Sequence, residues 1–176
     1  MNSTTILNAV AIQEAVNILV HQIAQIHPQG ENVYLVGIQR GGVWLAERLG
    51  TILHQAWGKT VPVGRLDISM HRDDLDRRTA PPVYPTSIPG DITGKNVVLV
   101  DDVLFSGRTT RAAMDALNDF GRPKRIQLAV LIDRGHMELP IRADFVGKTV
   151  ATRHDDLVEV HLREEGGEDG VTLRTA

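Results

Sequence analysis

The stretch VVLVDDVLFSGRTT, residues 97–110, decides the interpretation of this sequence. Four aliphatic residues, Val97–Val100, predict a buried strand, and two carboxylates, Asp101 and Asp102, follow it. A short loop containing Ser, Gly and Thr then leads into a segment with the pattern of a helix. Backbone N–H groups of such a loop and of the helix N-terminus form an anion site, which favours a phosphate group.

The side chains of the loop predict the chemistry of its ligand. Gly107 lets the backbone approach the ligand closely, while Ser106, Thr109 and Thr110 supply hydroxyl donors, one of which is expected to cap the helix. The two preceding carboxylates would repel a phosphate, but they suit sugar hydroxyls or the oxygen shell of Mg²⁺. The stretch therefore predicts a site for a phosphorylated sugar. The alternative is an acidic strand end followed by a turn and a capped helix.

Helices and strands alternate outward from this stretch. The predicted elements are a helix between Asn8 and Pro28, a strand at Val33–Ile38, a helix at Val43–Trp57, strands at Val61–Ser69 and Asn96–Val100, a helix at Thr109–Phe120, and strands at Ile126–Ile132, Phe145–Val150, Val158–Leu162 and Val171–Leu173. Alternating strands and helices predict an α/β fold, with a mostly parallel twisted sheet flanked by helices. The last strands predict a terminal β hairpin, and we expect one domain over residues 1–176.

Residues 70–94 interrupt the alternation. They mix both signs of charge with several prolines and have no apolar period. A loop of this length within a compact domain is often a lid or a binding loop, so we expect a flexible functional loop here. The alternative is a solvated connector.

Composition excludes several classes of protein. Among the 176 residues there is no cysteine, which excludes disulfide frameworks, Cys-based zinc sites, Fe–S clusters and thiol nucleophiles. No apolar run approaches the length of a membrane span, and the N-terminus lacks the pattern of a signal peptide, so we expect a cytoplasmic protein with no membrane partner. The net charge of −3 argues against a generic nucleic-acid binder, which is usually basic.

Residues 97–110 resemble the phosphoribosyl-pyrophosphate (PRPP) motif of type I phosphoribosyltransferases. The stretches 97–123 and 126–148 resemble one branch of that family, the bifunctional pyrimidine operon regulatory proteins with uracil phosphoribosyltransferase activity, and the resemblance runs from about residue 6 to 162. It implies the type I fold with a small hood, and conversion of uracil and PRPP to UMP and pyrophosphate with Mg²⁺. It also implies a homodimer or higher homo-oligomer.

The resemblance implies a role for individual residues. It assigns Asp101 and Asp102 to the ribose hydroxyls as the catalytic pair, and Asp102 also as an aid in deprotonating the base. The other substrate contacts that it implies are Arg40, Gly41 and Arg72 at the pyrophosphate, Val103, Leu104, Phe105, Ser106, Gly107, Arg108 and Thr109 at the 5-phosphate, and Arg134 and Val150 at the base. The alternatives are a solvated loop charge for Arg72 and a structural ion-pair partner for Arg134.

The resemblance also implies binding of pyrimidine operon leader RNA under the control of uridine nucleotides. The matching positions are His21, Arg142, Lys148 and Thr152, for which an ordinary solvated surface is the alternative.

This sequence departs from the branch at three places. Ile18 and Met137 stand where basic residues are common, and the first turn reads Arg40-Gly41-Gly42 instead of Thr-Arg-Gly. Because each lost phosphate contact weakens RNA binding, the sequence favours the enzyme, with a nucleotide-sensing RNA attenuator of weak catalysis as the alternative. A transferase acting on another base is a third hypothesis, since the PRPP loop does not select the base.

Overall fold

Two β-sheets organise the chain in this computed structural model, which describes residues 2–74 and 82–175. The helices are α1 (Ala9–Ile26), α2 (Gly41–Trp57) and α3 (Arg108–Leu117); the strands are β1 (Asn2–Leu7), β2 (Val33–Ile38), β3 (Val63–Leu66), β4 (Asn96–Leu104), β5 (Arg125–Asp133), β6 (Phe145–Thr149), β7 (Leu157–His161) and β8 (Gly170–Thr175). Five strands form a parallel sheet in the order β3-β2-β4-β5-β6, and three form an antiparallel sheet in the order β1-β8-β7. The α/β fold expected from the sequence is confirmed.

The central strand β4 is buried on both faces, which explains its continuous aliphatic run. Val98 and Val100 pack in one apolar cluster with α1 and α2, whereas Val97 and Leu99 pack in a second cluster with α3. The parallel sheet is therefore a middle layer between helices. This arrangement leaves the carboxyl ends of its strands free to form a site.

The predicted end of β4 is wrong, whereas a predicted hydroxyl contact at the start of α3 is present. The strand extends to Leu104 because its ladder with β5 continues, pairing Asp101 with Val130 and Leu104 with Asp133. The two acids thus lie within the strand. The N-cap residue of α3 is Gly107, at φ 91°, a conformation that glycine adopts readily. The hydroxyl of the preceding Ser106 accepts from the Arg108 N–H at 3.4 Å, so one of the three predicted hydroxyls does bond an N–H of the first turn.

The predicted terminal hairpin is present, but it is part of a larger antiparallel sheet, β1-β8-β7, which we call the hood. The strands β7 and β8 pair as predicted, and β1 from the other end of the chain pairs with β8, from Asn2 opposite Thr175 to Leu7 opposite Val171. No local pattern predicts β1, because its polar residues show no apolar alternation before the partner strand is known. The hood is thus built from both ends of the chain.

The predicted loop 70–94 is anchored over much of its length. Residues 75–81 lie outside the described residues. Beyond them, Ser87 forms an antiparallel bridge with Arg65 through hydrogen bonds of 2.8 and 2.9 Å, and Ile92 is completely buried. The sequence did not predict this attachment, because isolated bridges carry no periodic signal. The predicted strand 61–69 is also shorter, partly because Pro62 lacks a backbone N–H.

Candidate active site

Two clefts open at the carboxyl ends of the parallel strands, where α/β folds bind ligands. The first, of about 680 Å³, runs along residues 103–110 and is closed on one side by 72–74. The second, of about 630 Å³, lies between the turn 39–41 and strand β7 of the hood. Four residues line both clefts: Arg72, Asp101, Val103 and Thr109. The clefts therefore meet at the acid pair.

The loop between β4 and α3 forms the floor of the first cleft. The positive φ of Gly107 turns the chain from strand into helix, and a Cβ at this position would lie only 3.3 Å from Ile141 Cβ. The first backbone N–H groups of a helix have no partner within the helix. Here they point from the start of α3, beside Ser106, Thr109 and Thr110, all of which line the cleft. The sequence-predicted anion cradle is thus assembled in one place.

Asp101 and Asp102 interact closely at the junction of the clefts. The Asp102 backbone N–H donates to Asp101 Oδ1 at 3.0 Å, and the Val103 N–H donates to Asp102 Oδ1 at 2.7 Å. Burial and the neighbouring charge of Asp102 raise the pKa of Asp101 well above its usual range, and burial also raises the pKa of Asp102. Carboxyl groups with perturbed pKa values in a cleft are typical of functional sites.

The turn after β2 packs directly on the acid pair. A Cβ at Gly41 would collide with the Asp102 carboxylate, and one at Gly42 would collide with the Val100 carbonyl oxygen. Two successive glycines are therefore required at these positions. The arginine of the turn stands at position 40, where its side chain is 61% exposed and lines the second cleft.

Each of the three predicted phosphate-binding arginines has a carboxylate partner. Arg40 Nη2 lies 3.5 Å from Glu165 Oε1 of the hood, and Arg72 donates from Nε to Asp74 at 2.8 Å. Arg108 bonds two carboxylates, those of Asp73 at 2.8 Å and Glu138 at 3.0 Å. These ion pairs are partly exposed, and such pairs contribute little net free energy. A phosphate ligand can therefore replace the carboxylates at small cost.

Asp67 joins the two ends of the loop that flanks the clefts. Its carboxylate accepts from the Ser69 N–H at 2.6 Å and from the Tyr84 N–H, and its own N–H donates to Thr86 Oγ1 at 2.9 Å. Burial alone would raise the pKa of Asp67, but the hydrogen bonds from Ser69 and Tyr84 lower it. The base of the loop is thus fixed beside β3, which places Arg72 between the clefts.

The two residues predicted at the base do not line either cleft formed by the described residues. Arg134 is only 5% exposed, and its guanidinium carbon lies 4.1 Å from the centroid of the Phe105 ring. Val150 packs against the core, and its N–H donates to the Asp133 carbonyl at 2.9 Å. The other predicted substrate contacts do line the clefts.

The positions predicted to contact RNA have unequal surroundings. His21, Arg142 and Lys148 are exposed. The Thr152 hydroxyl, in contrast, donates to the Arg134 carbonyl at 3.0 Å and accepts from Arg134 Nε at 3.2 Å, so it is already hydrogen-bonded within the chain.

The sequence analysis missed the contribution of the hood. Glu165 and residues 158–161 of β7 line the second cleft. The acidic segment that contains Glu165 is held by Arg48 of α2, which hydrogen-bonds Glu164 at 2.7 and 2.5 Å and Asp169 at 2.7 and 2.8 Å. These partners are 116 and 121 residues apart in the chain, so no local pattern could reveal them.

The fold and the cleft residues define a phosphoribosyltransferase. The family model for the phosphoribosyl transferase domain matches residues 3–160, and the chain belongs to this family. It is similar to crystal structures of the hypoxanthine phosphoribosyltransferase of Trypanosoma cruzi (TM-score 0.73, 13% identity, covering 97% of this chain and 95% of that one) and of a hypoxanthine-guanine phosphoribosyltransferase from Bacillus anthracis (TM-score 0.66, 23% identity, covering 84% and 83%). At these identities, the likeness concerns the fold.

Within the family, the chain is similar to curated proteins that bear the name Bifunctional protein PyrR. One from Roseiflexus sp. (strain RS-1) is 56% identical over 98% of this chain and 96% of its own length. One from Thermus aquaticus is 52% identical over 96% of this chain and 93% of its own length. The branch predicted from the sequence is thereby confirmed. None of the helices in the described part of the chain is long and apolar enough to span a membrane.

Proposed function

We propose that this protein is a uracil phosphoribosyltransferase, which converts uracil and PRPP to UMP and pyrophosphate. One observation carries the proposal: Asp101, with a carboxyl pKa raised by burial, lies where a phosphate cradle and an arginine-bearing turn meet. PRPP has a phosphate on one side of its ribose and a pyrophosphate on the other. The two clefts offer a matching pair of anion sites with acceptors for sugar hydroxyls between them.

The proposed pose follows from this match. The 5-phosphate lies on residues 104–110, and the ribose 2′- and 3′-hydroxyls donate to Asp101 and Asp102. The pyrophosphate lies near Arg40 and the N–H of Gly41, with Arg72 reaching it from the loop. Each bound phosphate group then displaces the carboxylate that is paired with its arginine, because these partly exposed ion pairs contribute little net free energy.

The acid pair also suits Mg²⁺ brought with PRPP. Two adjacent carboxylates with raised pKa values are stabilised in the charged form by a nearby cation. Among the described residues, there is no cluster of three or more His, Cys, Asp or Glu side chains able to hold a metal ion. Mg²⁺ commonly binds one or two carboxylates together with phosphate oxygens of the substrate, which matches this donor set. When bound, it supplies positive charge beside the departing pyrophosphate.

The chain's own groups then position the reactants and stabilise charge. The bond from uracil N1 to C1′ forms as the bond from C1′ to the pyrophosphate oxygen breaks, and the N1 proton leaves. Asp102 lines the second cleft, and burial raises its carboxyl pKa, so this group is suited to accept that proton. The guanidinium groups of Arg40 and Arg72 stabilise the charge on the leaving group. Four residues of the hood strand β7 form one wall of the second cleft.

The test is PRPP-dependent formation of UMP from uracil with Mg²⁺, run beside hypoxanthine, guanine, xanthine and orotate. We expect turnover on uracil alone. Turnover on a different base would replace the substrate assignment while keeping the transferase. Absence of turnover on every base, with PRPP or UMP still binding, would favour the nucleotide-sensing regulator.

A second function, which we propose to be binding of pyrimidine leader RNA, is supported by the relatives' being called bifunctional and by three exposed positions, His21, Arg142 and Lys148. Gel-shift titration with a leader RNA should show binding that UMP strengthens and that Lys148→Ala weakens. Lys124→Ala, exposed at the amino end of β5, is the matched control and should leave binding unchanged. Equal binding of a scrambled RNA would contradict this function.

A further inference from the structure

The ring of Phe105, in the middle of the phosphate loop, is surrounded by three side chains that follow the neighbouring strands β5 and β6 at the same edge of the sheet. The Arg134 guanidinium carbon lies 4.1 Å from the ring centroid, and the rings of His154 and His136 lie 5.4 and 6.2 Å away. An arginine over an aromatic face is attracted to it by the ring quadrupole, most strongly when both groups are desolvated. Arg134 is 5% exposed, so this contact is largely shielded from water.

The same guanidinium holds the segment that follows β6. Its Nη2 donates to the carbonyl oxygens of Arg153 at 2.8 Å and His154 at 3.1 Å, and its Nε donates to Thr152 Oγ1 at 3.2 Å. His136 adds a ring-nitrogen contact of 2.8 Å to the Thr152 carbonyl. The planar fork of an arginine can make these bonds and stack on the ring at the same time, which a lysine cannot do.

The segment held by Arg134 leads directly into the hood. The Arg153 N–H donates to Asp156 Oδ2 at 2.7 Å, and strand β7 begins at the next residue, Leu157. Four residues of β7, 158–161, line the second cleft. A continuous set of packed and hydrogen-bonded groups therefore connects the phosphate loop to the hood, which is the physical requirement for coupling between them.

We propose that Arg134 is a positioning residue that makes binding in the second cleft depend on the phosphate in the first. A 5-phosphate on the loop fixes the Phe105 ring; the ring fixes Arg134; and Arg134 fixes Thr152–His154 and thereby β7. The affinity for uracil then depends on PRPP, and Arg134 acts on it through its hydrogen bonds to residues 152–154. This inference rests on the proposed function, because it takes the loop as the 5-phosphate site.

Hydrogen exchange of the whole protein with Mg²⁺ and PRPP tests the coupling. In the wild type, PRPP should slow amide exchange in residues 104–110 and also in 152–161. In Arg134→Lys, we expect protection of 104–110 to remain and protection of 152–161 to be lost. In kinetics, KM for uracil should rise about tenfold in this variant, as expected for loss of a desolvated contact and its hydrogen bonds, while KM for PRPP changes less than about twofold.

Two further variants serve as a matched control and as an independent test of the same contact. Arg153→Lys changes an exposed side chain of the same segment but keeps its carbonyl, so it should behave as the wild type. Phe105→Leu removes the ring partner and should reproduce the effect of Arg134→Lys on 152–161. The double variant should raise KM for uracil no further than either single variant does, because both changes remove the contact between Phe105 and Arg134. If Arg134→Lys does not fold, Phe105→Leu carries the test.

Different results would contradict the coupling through Arg134 and the proposed transferase function. If PRPP protects 152–161 equally in the wild type, Arg134→Lys and Phe105→Leu, Arg134 is not the coupling residue. A parallel rise of KM for both substrates would likewise overturn the proposal, because it indicates a contact to PRPP or general damage. If PRPP protects no part of 104–110 in the wild type, the loop is not a PRPP site and the proposed function fails first.

Discussion

Two pairs of carboxylates in this molecule have opposite electrostatic surroundings. Asp101 and Asp102, at the junction of the clefts, lie side by side, and burial raises the pKa of both. Glu164 and Asp169, in the hood, share the guanidinium of Arg48, whose side chain is 11% exposed. The hydrogen bonds from Arg48 lower the pKa of each hood carboxyl.

The difference between the pairs separates function from structure. A buried pair of like charges is unfavourable for folding, and such arrangements persist where the site needs the charges for a ligand. A carboxylate that is hydrogen-bonded to a buried arginine has its partner within the chain and serves to fix one element on another. We therefore expect changes at the first pair to affect catalysis, and changes at the second to affect stability.

The largest effect is expected from replacing the cleft pair. The double variant Asp101→Asn, Asp102→Asn removes the acceptors for the ribose hydroxyls and the charge beside the leaving group, so kcat/KM should fall by at least about 100-fold. Its stability at neutral pH should not fall, because an unfavourable buried charge pair is removed. Steady-state kinetics and urea unfolding measure both quantities. The control is Asp115→Asn, exposed on α3; turnover retained in the double variant would contradict the assignment.

A smaller effect, on stability, is expected from removing the hood cation. Arg48→Met leaves Glu164 and Asp169 without their partner, at side-chain exposures of 26% and 11%. The free energy of unfolding should drop by about 2 kcal/mol, which is less than for breaking a fully buried ion pair because water reaches part of this one. Urea unfolding is the measurement. The exposed pair of Arg65 with Glu47 supplies the control, since Arg65→Met should cost less than about 1 kcal/mol.

The two pairs should also give opposite slopes of stability against pH. For Asp101, the folded-state pKa lies above the unfolded value of about 4, so its contribution to stability falls as the pH rises from 4 through the folded pKa. For Glu164 and Asp169, the folded-state values lie below the unfolded ones, so their contribution is present above about pH 4 and is lost as the pH falls further.

Unfolding of the variants between about pH 3.5 and 7.5 separates the two slopes. The gain in stability of the Asp101→Asn, Asp102→Asn variant over the wild type should grow as the pH rises. The deficit of Arg48→Met should instead shrink as the pH falls below about 4. Parallel curves for the wild type and both variants would contradict the pKa directions of both pairs.

The smallest effect is expected at the ion pair of Arg40 with Glu165, where the turn beside the acid pair contacts the hood. Glu165→Gln removes a carboxylate that competes with pyrophosphate for this arginine, so calorimetry should show pyrophosphate binding about two- to threefold tighter. Glu168→Gln, exposed in the same acidic segment, is the matched control. Weaker binding by Glu165→Gln would mean that Glu165 assists the anion instead of competing with it.

Local sequence patterns predicted the acid pair and the phosphate loop well, and the hood poorly. The acid pair, the phosphate loop and Gly107 come from one contiguous stretch, and the structure brings them together along the two clefts. The extension of β4 to Leu104 was missed because the polar acids ended the apolar run, while the ladder with β5 continued through them. The residues of the hood that line the second cleft gave no local signal, since β1 and β8 meet only in the folded chain.

The sequence alone determined the alternation of strands and helices and the position of the phosphate loop, because both depend on neighbouring residues and on periods of two and 3.6. Only the tertiary structure decided which charges are paired and which face a cleft. Arg134, which the resemblance places at the base, stacks on the Phe105 ring and donates to the carbonyls of residues 153 and 154. Arg48 carried no signal at all until chain folding brought two distant acids to it. Contacts of this kind depend on long-range packing, which no local pattern encodes.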